Sequence, residues 1–211
     1  MAKNGVPVPS FTKLLDATAI DPELEKATIE LLLDNDQPVD DASPFLTFIA
    51  TNDNRPNELR LRAATALARS EDDQAIREAL SVICDPAMTE ATPLVREALR
   101  VAFIENPTHA SRYEWFLEKA HGDSAECGEL GWAILLRLLQ SATLESTARR
   151  EVEGALEKAA NRPETLQRVL TAIREIRYVA GSDLVKRSLE HNHEAVRLEA
   201  AKAAAALELK T

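Results

Sequence analysis

His191-Asn192-His193-Glu194 places two imidazoles and a carboxylate side by side. Such donors suit zinc or another transition metal when three or four ligands converge. No matching His/Cys/Asp/Glu cluster lies elsewhere in the sequence, and the group stands where one helical run ends and the next begins. It therefore reads as a solvated turn with a helix start. Asp34-x-Asp36 followed by Asp40-Asp41 offers oxygen ligands to a hard cation, but lacks the glycine and the bidentate acid of a calcium loop. It reads as an acidic loop that could also receive a basic partner. For nucleophilic catalysis there is no GxSxG, no Cys-His pair at helical spacing and no phosphate-cradling glycine loop. No catalytic, cofactor-binding or metal-ligating residue is assigned, and no enzyme activity is expected.

The run Arg112-Tyr113-Glu114-Trp115-Phe116-Leu117 carries the one candidate binding feature. On a helix, Tyr113, Phe116, Leu117 and Ala120 share a face and should enter the core. Trp115 then points elsewhere, alongside Arg112 and Lys119. An exposed Trp flanked by cations is a plausible hot spot for a partner. The competing reading packs Trp115 between neighbouring helical units. Trp132 sits in an apolar helix and reads as core.

Composition narrows the class of partner. The chain has 211 residues, long enough for one domain or a short repeat array. Its formal net charge is −10, and an acidic surface repels phosphate. Nucleic acid and membranes are therefore not expected partners; another protein, or another domain of the same chain, is. No apolar run is long enough to form a transmembrane helix. The start Met1-Ala2-Lys3-Asn4-Gly5 has no signal-peptide core, which suggests a cytoplasmic protein or an excised fragment. Cys84 and Cys127 are expected as two free thiols in a reducing compartment; a disulfide would need Cα atoms within about 7 Å.

The elements that position these residues read as helices throughout. Apolar residues recur at i, i+3, i+4 and i+7 between short breaks, and no stretch shows the period-2 alternation of a strand. Residues 1–9 read as an extended lead-in, and Ser10 caps a short helix from Phe11 to Thr18. Asp21-Pro22-Glu23 and Thr92-Pro93 are helix starts, each a capping residue followed by proline. The helix after Asp21-Pro22-Glu23 carries Leu24, Ala27, Ile29, Leu31 and Leu32. Leu24, Leu59, Val95, Leu130, Leu166 and Val196 each open an apolar run, at intervals of 35, 36, 35, 36 and 30 residues. A period of that size predicts stacked two-helix units.

Two of these openings carry a fuller signature. Val196-Arg197 is followed by Ala200-Ala201, and Leu59-Arg60 by Ala63-Ala64. Residues 57–68 and 194–206 therefore resemble a HEAT repeat of the phycobilisome-lyase-like subtype. Val95-Arg96 matches only at its start, with Leu99 and Arg100 in place of the alanines. Glu25, Gly131 and Gln167 stand at the arginine position of the other units. The alanines let a neighbouring helix approach closely, and the arginine can bridge to acidic groups or helix ends of the adjacent unit.

The resemblance implies an all-α fold. It would be a right-handed α-solenoid of about five helix pairs plus a terminal half-unit, treated as one domain over 1–211, with the second helices lining the concave face. It implies a non-catalytic interaction scaffold. HEAT-like folds also include phycobilin lyases and alkylpurine DNA glycosylases, and a purely structural spacer is a third reading. The last unit ends after its first helix, which either caps the array or precedes a further segment. No Cys-x-x-Cys-His is present, so no c-type haem is expected.

Overall fold

In the computed structural model of the chain, residues 22–34, 42–85, 88, 93–122 and 124–209 are described. The expected lead-in 1–9, the helix 11–18, the caps Asp21 and Thr92, and Asp36, Asp40 and Asp41 of the acidic loop lie outside them. The described residues are helical, with no strand among them. Backbone contacts divide the chain into two compact units, 1–103 and 104–211.

The first unit holds α1 (Pro22–Asp34), α2 (Ser43–Thr51), α3 (Asn57–Leu67), α4 (Asp73–Ile83) and most of α5 (Pro93–Glu105). Local chemistry sets the ends. Pro44 occupies the first turn of α2, where its missing N–H costs nothing. Asp72 caps α4 by accepting the Gln74 N–H at 3.0 Å. Helix α3 packs on α1, α2 and α4, and α2 also packs on α4. Ala63 and Ala64 are fully buried in this seam, as close helix approach requires. Of the apolar residues expected along α1, two turn inward. Ile29 and Leu32 face inward with Glu25, whereas Leu24 and Leu31 are 50 % and 56 % exposed and Ala27 is also exposed.

The second unit runs through a 3₁₀ turn (Pro107–Arg112), α6 (Tyr113–His121), α7 (Ala125–Gln140), α8 (Ser146–Ala159) and α9 (Pro163–Ile176). A second 3₁₀ turn (Val179–Gly181), α10 (Ser182–Ser188) and α11 (Glu194–Ala206) complete it. Helix α7 is its centre, packed by α6, α8, α9 and the first 3₁₀ turn. Enclosure on that scale needs an apolar surface all round, and Leu130 to Leu136 are buried without interruption. Trp132 is fully buried, as its place in an apolar helix implies. Helix α9 packs on α7, α8 and α11, and α10 on α11. Its stripe Leu166, Val169, Leu170 and Ile173 is buried as the periodicity predicts. At its end Arg177 adopts a left-handed φ of 51°, and the Tyr178 N–H reaches back to the Ile173 carbonyl at 2.9 Å.

Within each unit, first helices of successive pairs lie on one another (α1 on α3; α7 on α9 on α11), and so do second helices (α2 on α4; α6 on α8). Gly131 permits one of the tight crossings. A Cβ built there would stand 2.8 Å from the Ala120 nitrogen and 2.9 Å from the Phe116 carbonyl oxygen on α6.

Candidate functional site: the face of α6

Helix α6 has nine residues, so only a few side chains can anchor it. Phe116 and Ala120 are fully buried, as expected. Tyr113 and Leu117 are only half-buried. Tyr113 serves a polar contact: its hydroxyl donates to Glu151 of α8 at 2.7 Å. That bond to an anion, reinforced by desolvation and the charges of Glu151 and Glu114, pushes the phenol up to about 12.

The three residues singled out for partner binding take different positions. Trp115 is half-buried, neither fully exposed nor sealed in the core. The Arg112 guanidinium lies 5.9 Å from the centroid of its ring, within cation–π range. Arg112 itself is 9 % exposed, so it backs Trp115 rather than flanking it at the surface. Lys119 remains partly exposed and lies 3.9 Å from Glu118. Next to Arg112, the His109 ring is fully buried and lies tilted against Phe116 with centroids 4.8 Å apart. Burial, then the charge of Arg112, lowers its pKa to about 3. His109 is therefore neutral at neutral pH, an apolar-faced wedge under α6.

The repeat arginines have a concrete role. Arg60 is 6 % exposed. Its Nε donates to the Ala50 carbonyl near the end of α2 at 3.0 Å, and Nη2 pairs with Asp53 at 2.9 Å. Arg197 instead ties down the turn before its own helix, donating to the His191 and Asn192 carbonyls at 2.8 and 3.0 Å. Two further arginines cap helix ends as Arg60 does. Arg69 reaches the Leu33 carbonyl of α1 at 3.1 Å. Arg149 reaches the Leu139 and Ser141 carbonyls, at the end of α7, at 2.7 and 2.9 Å. The last carbonyls of a helix have no partner inside it and carry its negative end, so a guanidinium is a fitting cap. Glu25 inverts the scheme: fully buried, it accepts from Arg55 Nη2 at 2.6 Å.

No family model, curated protein or solved structure matches the chain. The HEAT-like resemblance therefore rests on the chain's own repeat pattern.

The remaining candidates are quickly placed. His191 and His193 stand 5.6 Å apart, and His191 Nδ1 accepts the His193 backbone N–H at 3.1 Å, so that nitrogen serves the turn. Among the described residues no group of three or more His, Cys, Asp or Glu is placed to hold a metal ion. No helix among them is long and apolar enough to cross a membrane. The expectation of free thiols is corrected: Cys84 and Cys127 are both disulfide-bonded. Sequence spacing alone could not decide this, because pairing depends on Cα approach.

Proposed function

We propose that the chain is a HEAT-like helical-repeat interaction module, with its pairs arranged as a right-handed α-solenoid, that binds another protein or another domain without catalysing a reaction. The observation that carries this reading is the alternate packing of helices: first on first and second on second, within each unit, with guanidinium caps at the helix ends. Packing of that kind builds surface rather than a closed cleft. Trp115, backed by Arg112 and neighboured by Lys119, is the proposed anchor. Its half-buried ring offers a large apolar area whose position is already held, which lowers the entropic cost of binding. The oxidised cysteines favour an oxidising compartment over the cytoplasm.

The test uses the whole chain as bait, with and without Trp115→Ala. A hot-spot aromatic contributes about 2 kcal/mol or more, so a partner held by the native chain should be lost by well over tenfold. Unchanged recovery of every partner would remove Trp115 from the proposal.

A further inference from the structure

A cavity of about 470 Å³ in the second unit is lined by His121, Lys158, Ala159, Asn161, Arg162 and Thr165. Three elements build it. His121 ends α6, Lys158 and Ala159 end α8, and Arg162 and Thr165 bracket the start of α9. Among the described residues of its wall, every titratable group is basic. Neither Lys158 nor Arg162 makes an ion pair or a side-chain hydrogen bond among the described residues. Both are exposed, in a chain of net charge −10 whose other arginines are mostly spent on carbonyls and carboxylates. Arg168 stands just behind, tied through Nη1 to the Gly122 carbonyl. Glu157 and Glu164, the acids next to Lys158 and Arg162 in sequence, are exposed and do not line the cavity; Asp123, two residues after His121, lies outside the described residues.

We infer that this cavity is a receptor for a phosphate monoester group, held between Lys158 and Arg162 with His121, Asn161 and Thr165 as further hydrogen-bonding partners. Two unpaired cations carry a charge of +2, which a dianionic phosphate balances and a single carboxylate leaves half unmet. Helix α9 adds its positive end: Arg162 is its N-cap and makes no side-chain cap bond, although Pro163 brings no N–H to that first turn. The His121 ring is held edge-on to the buried Trp132 with centroids 5.6 Å apart, so it meets a ligand from a fixed position. Burial, then the charges of Arg162, Lys158 and Arg168, lowers its pKa. A bound dianion offsets those charges, so occupancy raises it again. The inference rests on this cavity alone and stands or falls apart from the α6 face.

The acidic surface as a whole repels phosphate, but only at long range, and salt screens that repulsion beyond a Debye length of about 8 Å. Inside the cavity the local cations decide. Residues 121, 158 and 162 are brought together by the fold, so no basic block announces them in the sequence.

The test follows the His121 imidazole resonances by NMR during titration with three probes at constant ionic strength. The probes are inorganic phosphate, a phosphoserine peptide and the same peptide unphosphorylated. The expected result is a saturable shift with the first, the second or both, and none with the third. Response to inorganic phosphate assigns a small-anion site; response to the phosphopeptide alone assigns a phosphorylated protein. Lys158→Ala and Arg162→Ala should each weaken binding by about tenfold, with the far-UV spectrum unchanged. Lys186→Ala with Arg187→Ala on α10 removes two charges elsewhere and should leave the affinity within about twofold. A shift that chloride reproduces, equal losses in the control pair, or no saturable shift would each overturn the assignment.

Discussion

Replacing Gly131 by alanine should destabilise the chain, although alanine is the better helix former. The Cβ would lie 2.8 Å from the Ala120 nitrogen, 2.9 Å from the Phe116 carbonyl oxygen and 3.1 Å from the Ala120 Cα. All three are backbone atoms of α6, so no side chain can rotate away. The helices must separate by several tenths of an ångström, and overpacking of this kind costs about 1–3 kcal/mol. The propensity gain of Gly to Ala returns about 1 kcal/mol. Combined, the two leave a net loss of up to about 2 kcal/mol. Gly154, in the middle of α8, is the internal control: a Cβ there meets nothing within 4 Å. The same substitution should therefore stabilise by about 0.5–1 kcal/mol. Urea unfolding followed by helical circular dichroism reads both, as midpoint shifts of opposite sign with unchanged slope. A Gly131→Ala variant at least as stable as the native chain would refute the close-crossing argument.

Three further outcomes follow from the geometry. His109 has its folded-state pKa lowered to about 3 from 6.5, so its contribution to stability is fully present above pH 6.5 and is lost as pH falls toward 3. The stability difference between the native chain and His109→Leu should shrink by about 1.4 kcal/mol per pH unit inside that window; a flat difference between pH 6 and 4 would contradict the buried neutral imidazole. Arg60→Met keeps the stem but strips the Ala50 carbonyl of its donor, and should cost about 1–3 kcal/mol in urea unfolding. Asp53→Ala, at the 87 %-exposed end of the Arg60–Asp53 pair, should cost under about 0.5 kcal/mol; equal losses would mean that the ion pair, not the carbonyl cap, holds Arg60. Thiol titration of the denatured, unreduced chain should find no free cysteine and, after reduction, the two in the sequence; two thiols before reduction would contradict the oxidised state.

Helix existence was legible wherever an apolar stripe ran at helical spacing, as in α4 and α9. Rotation about the helix axis was less so. On α1 the apolar residues Leu24, Ala27, Ile29, Leu31 and Leu32 do not fit one face, and the buried face is the one that holds Glu25, paired with Arg55, together with Ile29 and Leu32. The rotation exchanges Leu24 and Leu31 for Ile29 and Leu32, so the apolar burial is comparable, and a buried Glu25 without Arg55 would be costly. On α6, Trp115 was correctly separated from Phe116 and Ala120, yet Arg112 is buried because the preceding 3₁₀ turn, which packs on both α6 and α7, carries it inward. The basic cavity was illegible in sequence because His121, Lys158 and Arg162 come from three elements.

The broken repeat signature has a physical explanation in the same contacts. Gln167 stands where the template has arginine, but its neighbour Arg168 supplies the guanidinium to the Gly122 carbonyl at the end of α6. Gly128 makes the room: a Cβ there would come within 2.7 Å of Arg168 Nη1. Gly131 likewise replaces an arginine, and the α7 carbonyls are capped instead by Arg149 from the following helix. A guanidinium on a long stem reaches a helix end from several starting positions, so the device persists while its sequence register drifts. If so, Arg168→Met should cost about as much as Arg60→Met, about 1–3 kcal/mol, despite falling outside the template. Gly128→Ala should cost less than Arg168→Met, because the side chain it meets can shift. Should Arg168→Met prove silent while Arg60→Met does not, the register of the arginine, rather than the carbonyl it reaches, would be what stacking requires.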